Sequence, residues 1–154
     1  MLKKTILIVV FLLTTSCGYE AKHSIKNTEN YNFSFSSINF EGDRDVNLKI
    51  KQKFNNYLLN KRGREFELNI ISLSKKVILA KDTTGNATSF KNTTTVYVEI
   101  LLNNNLKNKL QLDKSFKYNN NENKFDLKRY ERELKMNLAE TIADELLFKL
   151  SNIQ

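Results

Sequence analysis

Between residues 65 and 118 the chain alternates apolar and polar residues with only two breaks, Asp82-Thr83-Thr84-Gly85-Asn86 and Asn103-Asn104-Asn105. No other stretch limits the fold so tightly. Turns this short join antiparallel neighbours, because a parallel return needs a crossover of a dozen or more residues. Phe66, Leu68 and Ile70 alternate in the first segment, which reads as a strand over 65–81, and the apolar phase then slips to Ile71, Leu73, Val77 and Leu79. Phe90, Thr94, Val96, Val98, Ile100 and Leu102 alternate in the second segment. Leu110, Leu112, Phe116 and Tyr118 do so in the third, with Lys114 as the polar exception. The three segments form a meander whose first two strands make a long hairpin.

The flanks supply one more strand and two helices. Tyr31, Phe33 and Phe35 share one phase while Ile38 and Phe40 share the other, as expected of a strand over 31–41 with a bulge near Ser36-Ser37. Gly42 ends it. Asp43 is placed to cap a helix carrying Val46, Ile50, Phe54, Tyr57 and Leu58 on one face, and Asn60 to Gly63 stops that helix. Asp126 is read as the cap of a final helix striped by Leu127, Tyr130, Leu134, Leu138, Ile142, Leu146 and Leu150. Leu138 belongs to the buried side of this reading, and Lys135 and Glu140 to the solvated side. The pairs Glu131/Glu133 and Asp144/Glu145 lie among Lys and Arg, which marks a charge-laced surface and not catalytic carboxylates. The order β-α-β-β-β-α makes the chain α+β: a mixed four-stranded sheet, strand one parallel to strand two through a crossover, with both helices packed on one face.

Ahead of this domain, 31–154, the chain has a different character. Met1-Leu2-Lys3-Lys4, the apolar run Ile6 to Leu13, and Thr14-Thr15-Ser16 before Cys17 form a secretory signal peptide over 1–16. Its apolar run is far shorter than the ~20 residues a membrane-spanning helix needs. Residues 17–30 are polar and without period, a flexible tether reaching on the order of 20 Å. Cys17 is the only cysteine and His23 the only histidine, so neither a disulfide nor a Cys/His metal site is expected. The net charge of +8, reduced to +6 without Lys3 and Lys4, suits an anionic lipid or acidic polymer; export excludes nucleic acid.

Ser16-Cys17-Gly18-Tyr19 resembles the lipobox of bacterial lipoproteins, although Thr14 stands at the usual leucine position. In such proteins the signal is cut before the cysteine and its thiol receives a diacylglyceryl group. Two or more acyl chains hold a protein stably on a membrane, where one does not. That covalent lipid on Cys17 is the only prosthetic group expected, with no cofactor, no metal and no catalytic residues. Combined with the element order, Gly85 in the hairpin turn, and Asn137-Leu138-Ala139-Glu140 ahead of Ile142-Ala143, the whole chain resembles the LptE family of lipopolysaccharide-assembly lipoproteins. The family's usual proline after the cysteine is absent. The resemblance implies a non-enzymatic plug and assembly partner of the outer-membrane β-barrel LptD, on the periplasmic face, that passes lipopolysaccharide onward. A different outer-membrane lipoprotein, binding lipid, peptidoglycan or another envelope protein through the same domain, is the alternative.

Tracing the strands places the 82–86 turn, the end of strand four and both helix N-termini at one end, opposite the tether. Lys81, Lys91, Lys124 and Arg44 are expected there, where two helix N-termini would suit an anion; the resemblance implies that such basic residues around the hairpin tip contact lipopolysaccharide, with Phe90 beside them against an acyl chain. Asp43, Asp45 and Asp126 fall at the same end.

Overall fold

A computed structural model describes residues 31–153. The signal peptide, Cys17, His23 and the tether lie outside the described residues. The sheet has the order β1-β2-β3-β4, from β1 (Phe33–Gly42), β2 (Arg64–Lys81), β3 (Ala87–Leu102) and β4 (Asn105–Asn119). Strands β1 and β2 are parallel and the other pairs antiparallel. Two helices, α1 (Arg44–Leu59) and α2 (Lys124–Ser151), complete the expected order.

The change of phase in β1 is a bulge. Phe35 pairs with Phe66 and Ser37 with Glu67, leaving Ser36 as the extra residue; its hydroxyl donates to the Phe66 carbonyl at 3.2 Å. That one inserted residue lets odd-numbered Phe33 and Phe35 share a face with even-numbered Ile38 and Phe40. The slip in β2 has a different origin, because its register with β3 runs unbroken from Phe66 to Ile78. Phe66, Leu68 and Ile70 are buried under the helices. Ile71, Leu73 and Val77 point the other way and are exposed.

After β1 the chain turns tightly over β2 at Gly42, whose φ is +95°. Asp43 then caps α1, its carboxylate accepting from the backbone N–H groups of Asp45 and Val46 at 3.0 and 3.2 Å, while its own N–H donates to the Ser72 carbonyl. Val46, Ile50 and Phe54 are buried from α1. They meet an aromatic cluster in which Phe33 stacks on Tyr57 at 5.1 Å and Phe35 lies 5.1 Å from Phe54.

Helix α2 is capped by Asn123 and not by Asp126: the Asn123 side chain accepts from the N–H groups of Phe125 and Asp126. Leu127, Leu134, Ile142, Leu146 and Leu150 are buried as expected, but Tyr130 is exposed and Leu138 only half-buried. Steps of four residues advance 400°, so a row of them winds about 40° off the face at each step. Ala139, Ala143 and Leu147 fill the face instead. Strand β4 begins at Asn105, ahead of Leu110, since Asn103 and Asn104 take positive φ and close a two-residue turn.

Lys135 and Glu140, expected to be solvated, tie the helices together. Lys135 lies 3.0 Å from both Asp43 and Asp45, and Glu140 joins Lys49 and Lys53 at 2.8 and 2.9 Å. Asp144 and Glu145 are likewise paired, with Lys53 and Lys114. Among the described residues the buried apolar side chains gather in two clusters, a large one under α1 and the C-terminal half of α2, and a small one of Phe90, Tyr118, Leu127 and Leu134.

Candidate functional site

Strand β2 extends nine residues past Ser72, where its pairing with β1 ends. At about 3.3 Å per residue the β2–β3 hairpin therefore reaches roughly 30 Å beyond β1 and the start of α1. Its turn is held by one side chain. The Asp82 carboxylate accepts from Thr84 Oγ1 at 2.7 Å and from the N–H groups of Thr84 and Asn86 at 2.9 Å. These bonds, the Thr84 hydroxyl first, hold its carboxyl below the usual range. The tip is thus a turn closed around the Asp82 carboxylate, with Gly85 at φ +89°.

The five residues expected to share this end are distributed over four places. Lys81, paired in register with Ala87, and Lys124, the first residue of α2, are exposed at the tip. Asn120 fastens the start of α2 to the tip by bonding the Ala87 and Thr88 carbonyls at 2.8 Å. Lys91 lies lower, on the sheet face that carries no helix, because its neighbour Phe90 takes the helix face. Arg44 begins α1 beside Ser72, far from the turn. Strand direction put it at the correct end, but β2 is 18 residues long and β1 only 10.

Phe90 is not offered to a ligand. It is 7% exposed, its ring 5.6 Å from Tyr118 and covered by Lys76, whose Nζ lies 3.8 Å from the ring centroid. The Lys76 ammonium also pairs with Glu131. Glu131 accepts in turn from the Tyr118 hydroxyl at 2.9 Å. Burial, reinforced by Glu131, pushes the Tyr118 phenol well above its ordinary range. The expectation of an acyl-chain contact at Phe90 is therefore corrected: the ring is the core of the hairpin end.

The helix N-termini are also closed to an anion. Asp43 and Asn123 already satisfy their first N–H groups, and Asp126 is held by Arg129 at 3.2 Å. The basic surface lies on the helix-free face, where Val77, Lys91 and Lys117 stand in one cross-strand row and Lys75 in the next. Lys75 and Lys117 were not singled out from the sequence. The symmetric turn centred on Thr84 contained the signal for the first, since mirroring about it pairs Val77 with Lys91. The β3–β4 register shift at Ile100/Leu101 hid the second. A cleft of about 310 Å³ opens beside the tip, lined by Phe116, Tyr118, Leu127, Tyr130 and the Asn119–Asn121 run.

No family model matches the chain, and no curated protein matches it by sequence. Solved structures share its fold. The rare lipoprotein B of Shewanella oneidensis superposes with a TM-score of 0.56 at 10% identity, covering 75% of this chain and 97% of that one. A minor lipoprotein from Acinetobacter baumannii gives 0.57 at 13% identity, over 77% and 92%. Lipoprotein B of Nitrosomonas europaea gives 0.53 at 12%, over 77% and 84%. The fold implied by the family resemblance is borne out.

Proposed function

We propose that this chain is a lipid-anchored outer-membrane protein, held on the periplasmic face through Cys17. In this reading it acts without catalysis as plug and assembly partner of an LptD-like β-barrel and touches lipopolysaccharide during outward transport. One observation carries the proposal: a fold shared with a rare lipoprotein B over 97% of that chain lies, in this sequence, behind a lipobox-like Cys17 and a short polar stretch. The covalent lipid is the only non-protein group required. Lys81 and Lys124 at the tip, with Lys91 on the helix-free face, are the side chains assigned to lipopolysaccharide phosphates; Arg44 stands too far from them to join.

Purification from detergent extracts tests the partner. The chain should emerge with a large β-barrel protein, and its emergence alone would leave only a lipoprotein of similar fold. Cys17→Ser should accumulate as unprocessed precursor, since serine cannot form the thioether. Lys81→Glu combined with Lys91→Glu should weaken binding to purified lipopolysaccharide most at low salt, where exposed charges are least screened, while leaving barrel co-purification intact. Unchanged low-salt affinity would remove lipopolysaccharide from these residues.

A further inference from the structure

Four consecutive apolar residues, Val77-Ile78-Leu79-Ala80, are all exposed near the end of β2, with Val77, Ile78 and Leu79 at 37–51% of their full accessible surface. Among the described residues no strand pairs with the outer edge of β2 beyond Ser72, so 73–81 presents unpaired backbone donors and acceptors along the same stretch. Native proteins avoid leaving a long apolar edge uncovered, because it is a template for another strand.

Charge and solvation decide what covers it. A second copy pairing antiparallel about Ile78 would set Lys75 against Lys81, and a parallel copy would set each lysine against itself; like charges directly opposite destabilise a sheet. A hydrocarbon layer would leave the edge backbone without hydrogen bonds, at several kcal/mol for each group. A strand satisfies both constraints if it is acidic toward the helix-free face, where Lys75 stands on β2 with Lys91 on the adjacent β3, and apolar toward the other face, where Ile78 stands. Among the described residues Lys75 has no ion-pair partner, whereas Lys76 on the helix face is taken by Glu131. We infer that residues 73–81 are a docking edge for an extended acidic–apolar strand of a partner protein, added to the sheet beside β2 by main-chain hydrogen bonds.

A ten-residue synthetic peptide alternating valine and glutamate serves as probe against the full chain, with a valine–lysine peptide as control. The glutamate peptide should bind saturably and slow hydrogen exchange of the 73–81 amides. Ile78→Lys, an exposed position, should lower its affinity about tenfold or more, the scale of one lost interfacial contact. Lys75→Glu should reverse the preference between the two peptides. The inference is overturned by any of four results: no binding below about 1 mM, binding without protection of 73–81, equal binding of both peptides, or protection that appears without peptide and rises with protein concentration or with anionic vesicles. The last would assign the edge to a second copy or to lipid.

Discussion

A single lysine shows how far a charged residue can be from the solvated role its type suggests. Lys135 is mostly buried and bridges Asp43 and Asp45, each at 3.0 Å. Burial pulls its ammonium down, but the hydrogen bonds to Asp43 and Asp45 outweigh it and hold the group above its ordinary range. Lys135→Ala should therefore cost about 1–3 kcal/mol in denaturant melts, the worth of hydrogen bonds between charged groups. Exposed Lys128→Ala should stay within about 0.5 kcal/mol. The partner carboxyls predict a pH response. The hydrogen bond to Lys135 lowers Asp45 from its ordinary 3.8, and those to Lys49 and Lys53 lower Glu140 from 4.5. Groups with depressed folded values contribute fully above their unfolded values and lose that contribution as pH falls through the folded ones. The melting temperature should hold between neutrality and about pH 5 and fall below about pH 4, and removing Lys135 should shrink the fall. Phe90 is the matching case among apolar residues: Phe90→Ala should cost about 3–5 kcal/mol as a core truncation, whereas a ring reserved for lipid would leave the melt unchanged. Alternation told that Phe90 faces one side of the sheet. It did not tell that α2 covers that side, because the partners Tyr118 and Leu127 come from elements whose lengths periodicity does not fix.

At the scale of elements, what the chain spells out is direction and period, and what it withholds is relative length. The bulge in β1 was legible because two apolar phases abut at Ser36-Ser37. The overhang of β2 was not, since nothing local states that β1 stops level with Ser72. The passage from β1 to α1 depends on a position where only glycine fits. A Cβ on Gly42 would lie 1.9 Å from the Ser72 carbonyl oxygen, at φ +95°. Gly85 has a similar φ of +89° with nothing within 4 Å of its Cβ position. Gly85→Ala should then cost only the left-handed penalty, about 1–2 kcal/mol. Gly42→Ala should cost more, because steric overlap with a backbone carbonyl adds to that penalty. Equal losses in urea melts would mean that the close approach of Gly42 to β2 carries no weight. The α2 stripe teaches the same lesson in another form. Its leucines were readable, but which of them reach the core depends on a drift of about 40° per four-residue step, which buries Ala139 and leaves Leu138 at the margin.

The whole molecule contains a division that no single element shows. Its large apolar cluster lies toward the start of β1 and its small one, around Phe90 and Tyr118, toward the hairpin tip. Between them a polar belt crosses the helix face of the sheet. Ser72, Asn92 and Thr94 are buried there, the Ser74 hydroxyl donates to Asn92 Oδ1 at 3.0 Å, and Lys114 reaches Glu145 at 2.7 Å. Thr94 Oγ1 has no hydrogen-bond partner among the described residues. Two apolar clusters separated by polar contacts need not open together, since regions with fewer buried contacts open at lower free energy than the global transition. Native-state hydrogen exchange should find the β3-paired amides of 76–81, with those of 87–91, 116–119 and 124–134, released by a sub-global opening. Those of 66–70, 96–100 and 142–150 should exchange only on global unfolding. Thr94→Val tests the cause, for it removes an unsatisfied buried hydroxyl and carries apolar contact across the belt. It should raise stability by about 1 kcal/mol and draw the tip's exchange toward the global value. If tip and base already exchange with one free energy in the unsubstituted chain, the two clusters form a single cooperative core. If they differ but Thr94→Val leaves the difference intact, the belt is not what divides them.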